Sequence, residues 1–479
     1  MEESLKRQTV NGVIWSAVQR FSTQGIQFVT TIIMARMLTP ADYGTIGMLD
    51  IFIAILSVFV DSGFINALTR KQDRTHTDIC TVFFFNIGIS LLAYCILFFI
   101  APFVASFYLM PELCLILRIL GIIVIIDSFA AVQMTLMIIN LNFKIQTRIS
   151  IISLIISGVI GIMLAYQNFT YWALVIQSLL YGIISTTLFW YYSTWRPSII
   201  FSKQSFKEMF SFGSKILATS LLNTIYGNLY SLVIGKVFSA STLGNYSRAN
   251  SYANFPSSNL TSILQRVTYP VLCKLQDDKE FLSVAYRKLI RTSAFIIFPL
   301  MLGLSALANP FILIILGAKW SLCAIMLQII CFALMWYPIH ALNVNLLLVK
   351  GRSDLLLRTE IIKKIIGIIV LCISVPFGII ALCYSGIVAS IICLVINTYY
   401  TGKLINVGFT RQMIDVSISF IISISMWGLI IFINSYIQNI ILQMMMGIIV
   451  GAIFYILVSY LFNKKELENV LSLIRNKND

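Results

Sequence analysis

The chain has 479 residues, 59% of them hydrophobic and 11% charged, with a mean hydropathy of +0.90. Soluble domains carry about 25% charged residues, so a soluble enzyme, a nucleic-acid binder and a disulfide scaffold are excluded. The net charge of +15 does not reverse this, because the basic residues sit in short connections between apolar runs, as in the cytoplasmic loops of membrane proteins.

Apolar runs of about 18 or more residues are candidate membrane helices. Taken in chain order, fourteen are predicted, at 11–37, 44–68, 79–102, 115–139, 149–167, 171–192, 209–236, 244–270, 289–309, 323–348, 357–374, 379–400, 414–435 and 439–461. The expected fold class is therefore an all-α polytopic membrane protein of about fourteen transmembrane helices. The segment after Lys6 and Arg7 has no small-residue cleavage site, so the first run is expected to stay in the mature chain.

Connections after even-numbered runs hold the basic residues. They carry Arg70, Lys71 and Arg74; Lys144 and Arg148; Arg196, Lys203 and Lys207. Later ones carry Lys274, Lys279, Arg287, Lys288 and Arg291; Lys350, Arg352 and Arg358; Lys403 and Arg411. With Lys6, Arg7, Lys464, Lys465, Arg475 and Lys477 they account for 24 of the 34 basic residues. The positive-inside rule then puts both termini in the cytoplasm. No connection is long enough for a soluble catalytic domain. There is no GxxxxGK[ST] phosphate loop and no Asp-x-Asp dyad, and His76 and His340 are the only histidines. The nine cysteines, spread through apolar runs, read as small hydrophobes rather than as a disulfide or metal framework.

An internal repeat organises the chain. Residues 35–44 match residues 235–244 at an offset of 200, aligning Arg36 with Lys236, Thr39 with Ser239 and Gly44 with Gly244. Trp172-Ala-Leu174 is answered by Ile380-Ala-Leu382. Six runs separate the copies, so the halves keep one orientation. Two parallel six-helix lobes, 1–200 and 204–405, are expected, followed by an extra helix pair and tail over 406–479. Parallel repeats of this kind are a transporter architecture.

At this point the sequence resembles a known family. Gly12-Val-Ile-Trp15, the run from Ala35 to Gly44, Asp61-Ser-Gly-Phe64, Phe210-Ser-Phe-Gly213-Ser-Lys215, Gln265-Arg266-Val-Thr-Tyr-Pro270 and Lys350-Gly-Arg-Ser-Asp354 are similar to bacterial polysaccharide exporters. These are the Wzx-like lipopolysaccharide and teichuronic-acid exporters of the multidrug/oligosaccharidyl-lipid/polysaccharide (MOP) flippase superfamily. The resemblance covers essentially the whole chain. It implies a flippase, not an enzyme, that turns a polyprenyl-pyrophosphate-linked oligosaccharide across the bacterial inner membrane by rocking two lobes. It implies as partners the lipid-linked oligosaccharide, membrane lipids, and a polysaccharide polymerase with other assembly proteins; nucleic acid is not among them. No cofactor is expected, H+ or Na+ coupling through an embedded acid being one reading.

Ionisable groups inside hydrocarbon are costly and mark function by default. Arg20 lies midway along the first run and joins Ser16, Thr23, Gln27 and Thr31 in a polar stripe on one helical face. The seventh run repeats the pattern with Lys215, Thr219, Asn223, Tyr226 and Tyr230, and the eighth offers Ser251, Ser258, Ser262, Gln265 and Arg266. The resemblance makes these the helices flanking a central cavity. A pyrophosphate needs cationic donors, a role that Arg20, Lys215, Arg248 and Arg266 fit, with Gln27, Asn223 and Tyr226 as neutral partners. The competing reading for Arg248 and Arg266 is snorkelling from span ends. Asp61 is the candidate for ion coupling, the competing reading being an internal pair with a basic neighbour, and Asp127 reads as structural. Two alternatives stand beside the flippase. A cation-coupled multidrug extruder of the same superfamily is disfavoured by a cationic lining. A membrane-embedded polymerase or ligase would show a large external loop or a metal dyad.

Overall fold

The protein is described from a computed structural model that covers residues 2–61 and 63–475, with side chains from residue 15 to 472 apart from 17, 61 and 267. Among these residues every regular element is helical. The first eight helices are α1 (Glu2–Met37), α2 (Pro40–Asp61), α3 (Gly63–Arg70), α4 (His76–Tyr108), α5 (Glu112–Ile139), α6 (Phe143–Tyr166), α7 (Tyr171–Tyr192) and α8 (Lys203–Val237). There follow α9 (Ala240–Lys274), α10 (Lys279–Ala306), α11 (Ala308–Ile315), α12 (Ser321–Leu334), α13 (Tyr337–Val349) and α14 (Ser353–Ser374). The last four are α15 (Ile379–Ile405), α16 (Phe409–Asn434), α17 (Ile440–Phe462) and α18 (Lys464–Arg475).

Among the described residues, ten stretches are long and apolar enough to cross a membrane: α2 with α3, α4, α5, α6, α7, α10, α12 with α13, α15, α16 and α17. They account for ten of the fourteen expected runs. The other four runs fall on α1, α8, α9 and α14. Each is a long helix too polar to pass on apolarity alone, and α1, α8 and α9 are the helices that carry the polar stripes.

The chain forms two compact units, Met1–Gly244 and Asn245–Asp479. The first therefore includes α8, which the repeat counts with the second half. In the first unit α4 pairs with α5, and Ser90 Oγ donates to Ser128 Oγ at 3.0 Å. α1 packs on α6, and α7 packs on α5 and α6. Phe64, Leu68, Val82, Phe83, Val132 and Met209 form a core under α8. In the second unit α10 pairs with α16, and α17 closes on α16. Phe295, Ile422, Met426, Ile430 and Tyr455 make the core there, and the Tyr455 hydroxyl donates to the Phe295 carbonyl at 2.8 Å. α17 carries Gly447-x-x-x-Gly451, and both glycines pack inside this unit: a Cβ on Gly447 would lie 2.4 Å from Leu307, and one on Gly451 would lie 2.8 Å from Ile430.

The repeat is visible as geometry within the first unit. Thr39 caps α2 through reciprocal bonds with Asp42, at 2.8 Å from its N–H to the carboxylate and 3.3 Å from the Asp42 N–H to its hydroxyl. Ser239 caps α9 in the same way, accepting from the Thr242 N–H at 3.1 Å. Two residues beyond each capping pair stands the paired glycine. A Cβ on Gly44 would sit 1.6 Å from the Ala240 carbonyl oxygen, and one on Gly244 would sit 1.9 Å from the Pro40 carbonyl oxygen. The two helix starts cross with each glycine beneath the other's carbonyl, so neither position admits a side chain. Gly44→Val should therefore cost about 4 kcal/mol or more, read as lost yield of monodisperse protein and a lower unfolding temperature. Gly25→Ala, with nothing within 4 Å of the added carbon, should be neutral or slightly stabilising.

Candidate functional site

α1 is fastened along one side. Gln19 Nε2 donates to Ser150 Oγ at 3.2 Å, Thr147 Oγ1 donates to the Trp15 carbonyl at 3.3 Å, and Lys144 stands over the Trp15 ring at 5.5 Å. A Cβ on Gly158 would touch Thr30 at 3.1 Å. Trp15, Gln19 and Thr30 thus define the face against α6. The stripe of Ser16, Thr23, Gln27, Arg20 and Thr31 occupies the neighbouring face. Thr23 satisfies its hydroxyl on the helix itself, donating to the Gln19 carbonyl at 2.7 Å. Arg20 is half-buried and Gln27 exposed. Phe21, Phe28 and Val29, all exposed, complete the circumference.

α8 is held at two places. Near its start Met209 and Gly213 are buried, and a Cβ on Gly63 would lie 2.2 Å from the Gly213 backbone. Arg70 stacks over Phe212 at 4.8 Å. Near its end Ile234 and Gly235 are buried, the latter against Met48, Tyr108 and Leu243. Between Ser214 and Val233 none of the described residues is buried. That bare midsection carries the stripe: Lys215, Thr219 and Asn223 are exposed, and Tyr226 and Tyr230 are half-buried. Lys236, the repeat mate of Arg36, donates to the Phe107 carbonyl and stands 4.6 Å from that ring.

α9 contains Pro256 and Pro270 and is tied to its unit by Asn245 Oδ1, which accepts from the Cys323 N–H at 3.0 Å, and by Ser257, whose hydroxyl donates to the Leu334 carbonyl at 2.9 Å. Arg248 is half-buried, close enough for its charge to act on Cys323; Arg266 is exposed. Eighteen residues apart, they share one side of the helix about five turns from each other.

The expected residues thus fall into three groups. Arg20 and Gln27 share a face of α1, and Lys215, Asn223 and Tyr226 share a face of α8. Both groups belong to the first unit but to helices with different packing partners. Arg248 and Arg266 belong to the second unit. The Asp61 side chain lies outside the described residues. Asp127 is exposed on α5, with Oδ1 3.5 Å from where a Cβ on Gly182 of α7 would lie. Glu360 and Lys363 pair at 2.5 Å on α14. In the Lys350–Asp354 motif, Arg352 grips Asp354 with two bonds of 2.9 and 2.7 Å beside Gly351 at φ +64°. The Arg352 hydrogen bond brings the Asp354 carboxyl down to about 2.

Sequence reasoning missed a carboxylate held by two arginines. Asp415, at the expected boundary of the thirteenth run, passes for a loop residue, but its side chain is fully buried. Arg287 donates to it twice, at 2.7 and 2.8 Å, and Arg291 donates through Nε at 2.8 Å. The available signal was the i, i+4 spacing of Arg287 and Arg291, which puts both on one face of α10. Three residues before Asp415, Gln412 Nε2 donates to Asn343 Oδ1, Thr401 Oγ1 and the Val407 carbonyl, each at 3.0 Å. Asp415→Ala would leave two arginines facing an apolar gap. Both are about one-third exposed, so the loss should be about 2–3 kcal/mol, below the 3–5 of a wholly buried pair. Arg287→Gln, which leaves Arg291 in place, should cost less. Thermal unfolding of the two purified variants checks the order.

Residues 33–325 match the family described as Polysaccharide biosynthesis protein. The chain is 25% identical over 371 residues to the lipopolysaccharide biosynthesis protein WzxC of Escherichia coli K12, covering 76% of this chain and 75% of that one. It is 26% identical over 355 residues to the teichuronic acid biosynthesis protein TuaB of Bacillus subtilis 168, covering 74% and 73%. Among solved structures, the lipid II flippase MurJ in an inward closed conformation superposes with a TM-score of 0.78 at 14% identity, over 95% of this chain and all of that one. An inward-facing MATE family transporter of the MOP superfamily superposes with a TM-score of 0.61 at 15% identity, over 79% and 95%. These two show likeness of fold.

Proposed function

Because the chain belongs to the polysaccharide biosynthesis protein family, we propose that it is a multi-pass membrane exporter of the Wzx type within the MOP superfamily, a flippase for a polyprenyl-pyrophosphate-linked oligosaccharide. The observation that carries this reading is the bare polar midsection of α8, a helix whose two ends are buried and whose middle presents Lys215, Thr219 and Asn223. The Thr219 hydroxyl is satisfied by the Lys215 carbonyl at 3.0 Å, but the exposed Lys215 ammonium in a spanning helix calls for water or cargo. A glycan headed by a pyrophosphate supplies both hydroxyls and charge.

In this reading α1, α8, α9 and α14 join the ten apolar helices as spans, giving fourteen. The basic loops and both termini face the cytoplasm, and the membrane is the bacterial inner membrane. Lobes 1–200 and 204–405 alternate access, with 406–479 as an accessory pair. Arg20 and Lys215 bind the pyrophosphate, Arg248 and Arg266 continue the cationic path, and Gln27, Asn223 and Tyr226 contact the glycan. Asp61 exchanges a proton or sodium ion for cargo. A polymerase and other assembly proteins receive the product, and the protein itself breaks no bond.

Deletion of the gene should leave lipid-linked oligosaccharide on the cytoplasmic leaflet. Each charge-assisted contact is worth roughly 1.5–3 kcal/mol, so losing one weakens binding about tenfold to more than a hundredfold. Arg20→Ala and Lys215→Ala, at matched protein level in the deletion strain, should strongly reduce export, and Arg20→Lys should recover part of it. Full export by both Arg20→Leu and Lys215→Leu would end the pyrophosphate role. For the topology, tags after Asp73, Ser202 and Asp278 should be protected from an external labelling reagent, and a tag near Pro111 should react. A reactive tag at Asp278 would overturn the fourteen-span map.

A further inference from the structure

Away from the stripes, the first unit holds a cavity of about 250 Å³ where the start of α4 meets the ends of α5 and α7. This is the end of the unit that carries Arg70, Lys71, Arg74, Lys144, Arg148 and Arg196. Gln133 lines it, is fully buried, and has neither Nε2 nor Oε1 hydrogen-bonded. The Ser90–Ser128 bond sets the register of α4 on α5. One turn further, Asn86 comes level with Gln133, and its amide is also buried and unpaired. Buried amides are rarely left without partners, so a site lined by one is built to receive them from outside the fold.

The rest of the lining says what kind of partner. Asn140 and Asn142 add two amides, Thr194 adds a hydroxyl, and Tyr192 and Trp195 form aromatic walls. Trp195 is fixed before anything binds. Its indole N–H donates to His76 Nδ1 at 3.2 Å, and its ring meets Phe83 edge-on at 5.6 Å. Because Nδ1 accepts, His76 carries its proton on Nε2 and donates it to Ser198 Oγ at 3.0 Å. None of the described residues lining the cavity is charged. Uncharged amides and hydroxyls beside aromatic faces suit a ligand with many hydroxyls and an apolar ring face, and they offer nothing to neutralise a phosphate or a carboxylate. The volume suits one ring of that kind rather than a chain.

We propose that this cavity binds one neutral pyranose unit of the glycan at the entry side of the first unit. The proposal rests on the exporter reading for the source of the sugar. A glycan unit arrives as a glycoside, so the probes are the methyl glycosides of glucose, galactose and N-acetylglucosamine, set against the free sugars, glucuronate and glucose 1-phosphate. Each is titrated into the full-length protein in lipid nanodiscs, reading tryptophan fluorescence and unfolding temperature. At least one methyl glycoside should bind saturably with a Kd on the order of 1 mM, and both charged probes should fail. Gln133→Leu should weaken binding tenfold or more while leaving the unfolding temperature without sugar unchanged or higher, because it replaces an unpaired amide with a hydrocarbon. Asn140→Ala, at the exposed rim, should weaken binding without touching the core. Preference for a free reducing sugar over its glycoside would overturn the glycan source. Binding of none of the neutral probes, or unchanged binding by Gln133→Leu, would overturn the subsite. The exporter reading fails separately, if deletion leaves export intact.

Discussion

A side chain inside a bilayer has no solvent to fall back on, so each polar group there is bonded to its own helix, bonded across to another, or turned to a water-filled space. The first two are present among the described residues, and the exporter reading assigns the third to the stripes. Short hydroxyls take the first: Thr135 donates to the Ala131 carbonyl at 2.7 Å and Ser251 to the Ser247 carbonyl at 2.8 Å. The Ser90–Ser128 pair and the Gln412–Asn343–Thr401 cluster take the second. Long donors such as Lys215 and Gln27 cannot fold back on a carbonyl one turn away. They are exposed, and they sit on the helices that fail an apolarity test for membrane crossing. In the exporter reading, that failure on α1, α8 and α9 is what a helix beside water would show.

The close crossing of α2 and the start of α9 gives the repeat its physical meaning. A repeat of ten residues would be weak evidence on side-chain similarity alone, since Asp42 aligns with Thr242 and Pro40 with Ala240. What is kept is the pair of functions each copy performs: a hydroxyl that caps the incoming helix, and, five residues on, a position with no side chain. Both copies are needed for one contact, because each glycine receives the other's carbonyl. Drift in one copy is thus penalised through the other.

Much of the fold was legible because hydrocarbon length and helix rise fix the scale of a spanning run, and all fourteen expected runs lie on helices. The stripes were legible for the same reason: a helix has one period, so Lys215, Thr219 and Asn223 had to share a face. Other features had no local signal. The break of α12 and α13 at Met335–Trp336 follows from packing, Trp336 being buried against Phe298 and Phe420. Asp415 was hidden because a carboxylate at a span boundary reads as solvated, and only the fold brings α10 against it. Gln133 lies inside an apolar run, where a single amide is indistinguishable from one satisfied by a neighbouring helix. The compact unit that ends at Gly244 was not legible either, because repeat and contact divide the chain by different criteria: ancestry for one, packing of α8 on α2 and α3 for the other.

The distribution of polar bonding along α16 suggests how each unit keeps its shape. Gln412, Asp415 and Ser419 follow at steps of three and four on one face, and they bond respectively to α13 and α15, to α10, and to Asn463. Further along the same helix Ile422, Met426 and Ile430 are buried among apolar neighbours. In the first unit the charges likewise gather at one end, where Lys71 bridges Asp78 at 3.2 Å and Glu208 at 3.1 Å. Charge pairs cost least where water can still reach part of the pair, and directional bonds fix register better than hydrocarbon contact does. Each unit is thus pinned by polar bonds at one end and filled by apolar packing along its length.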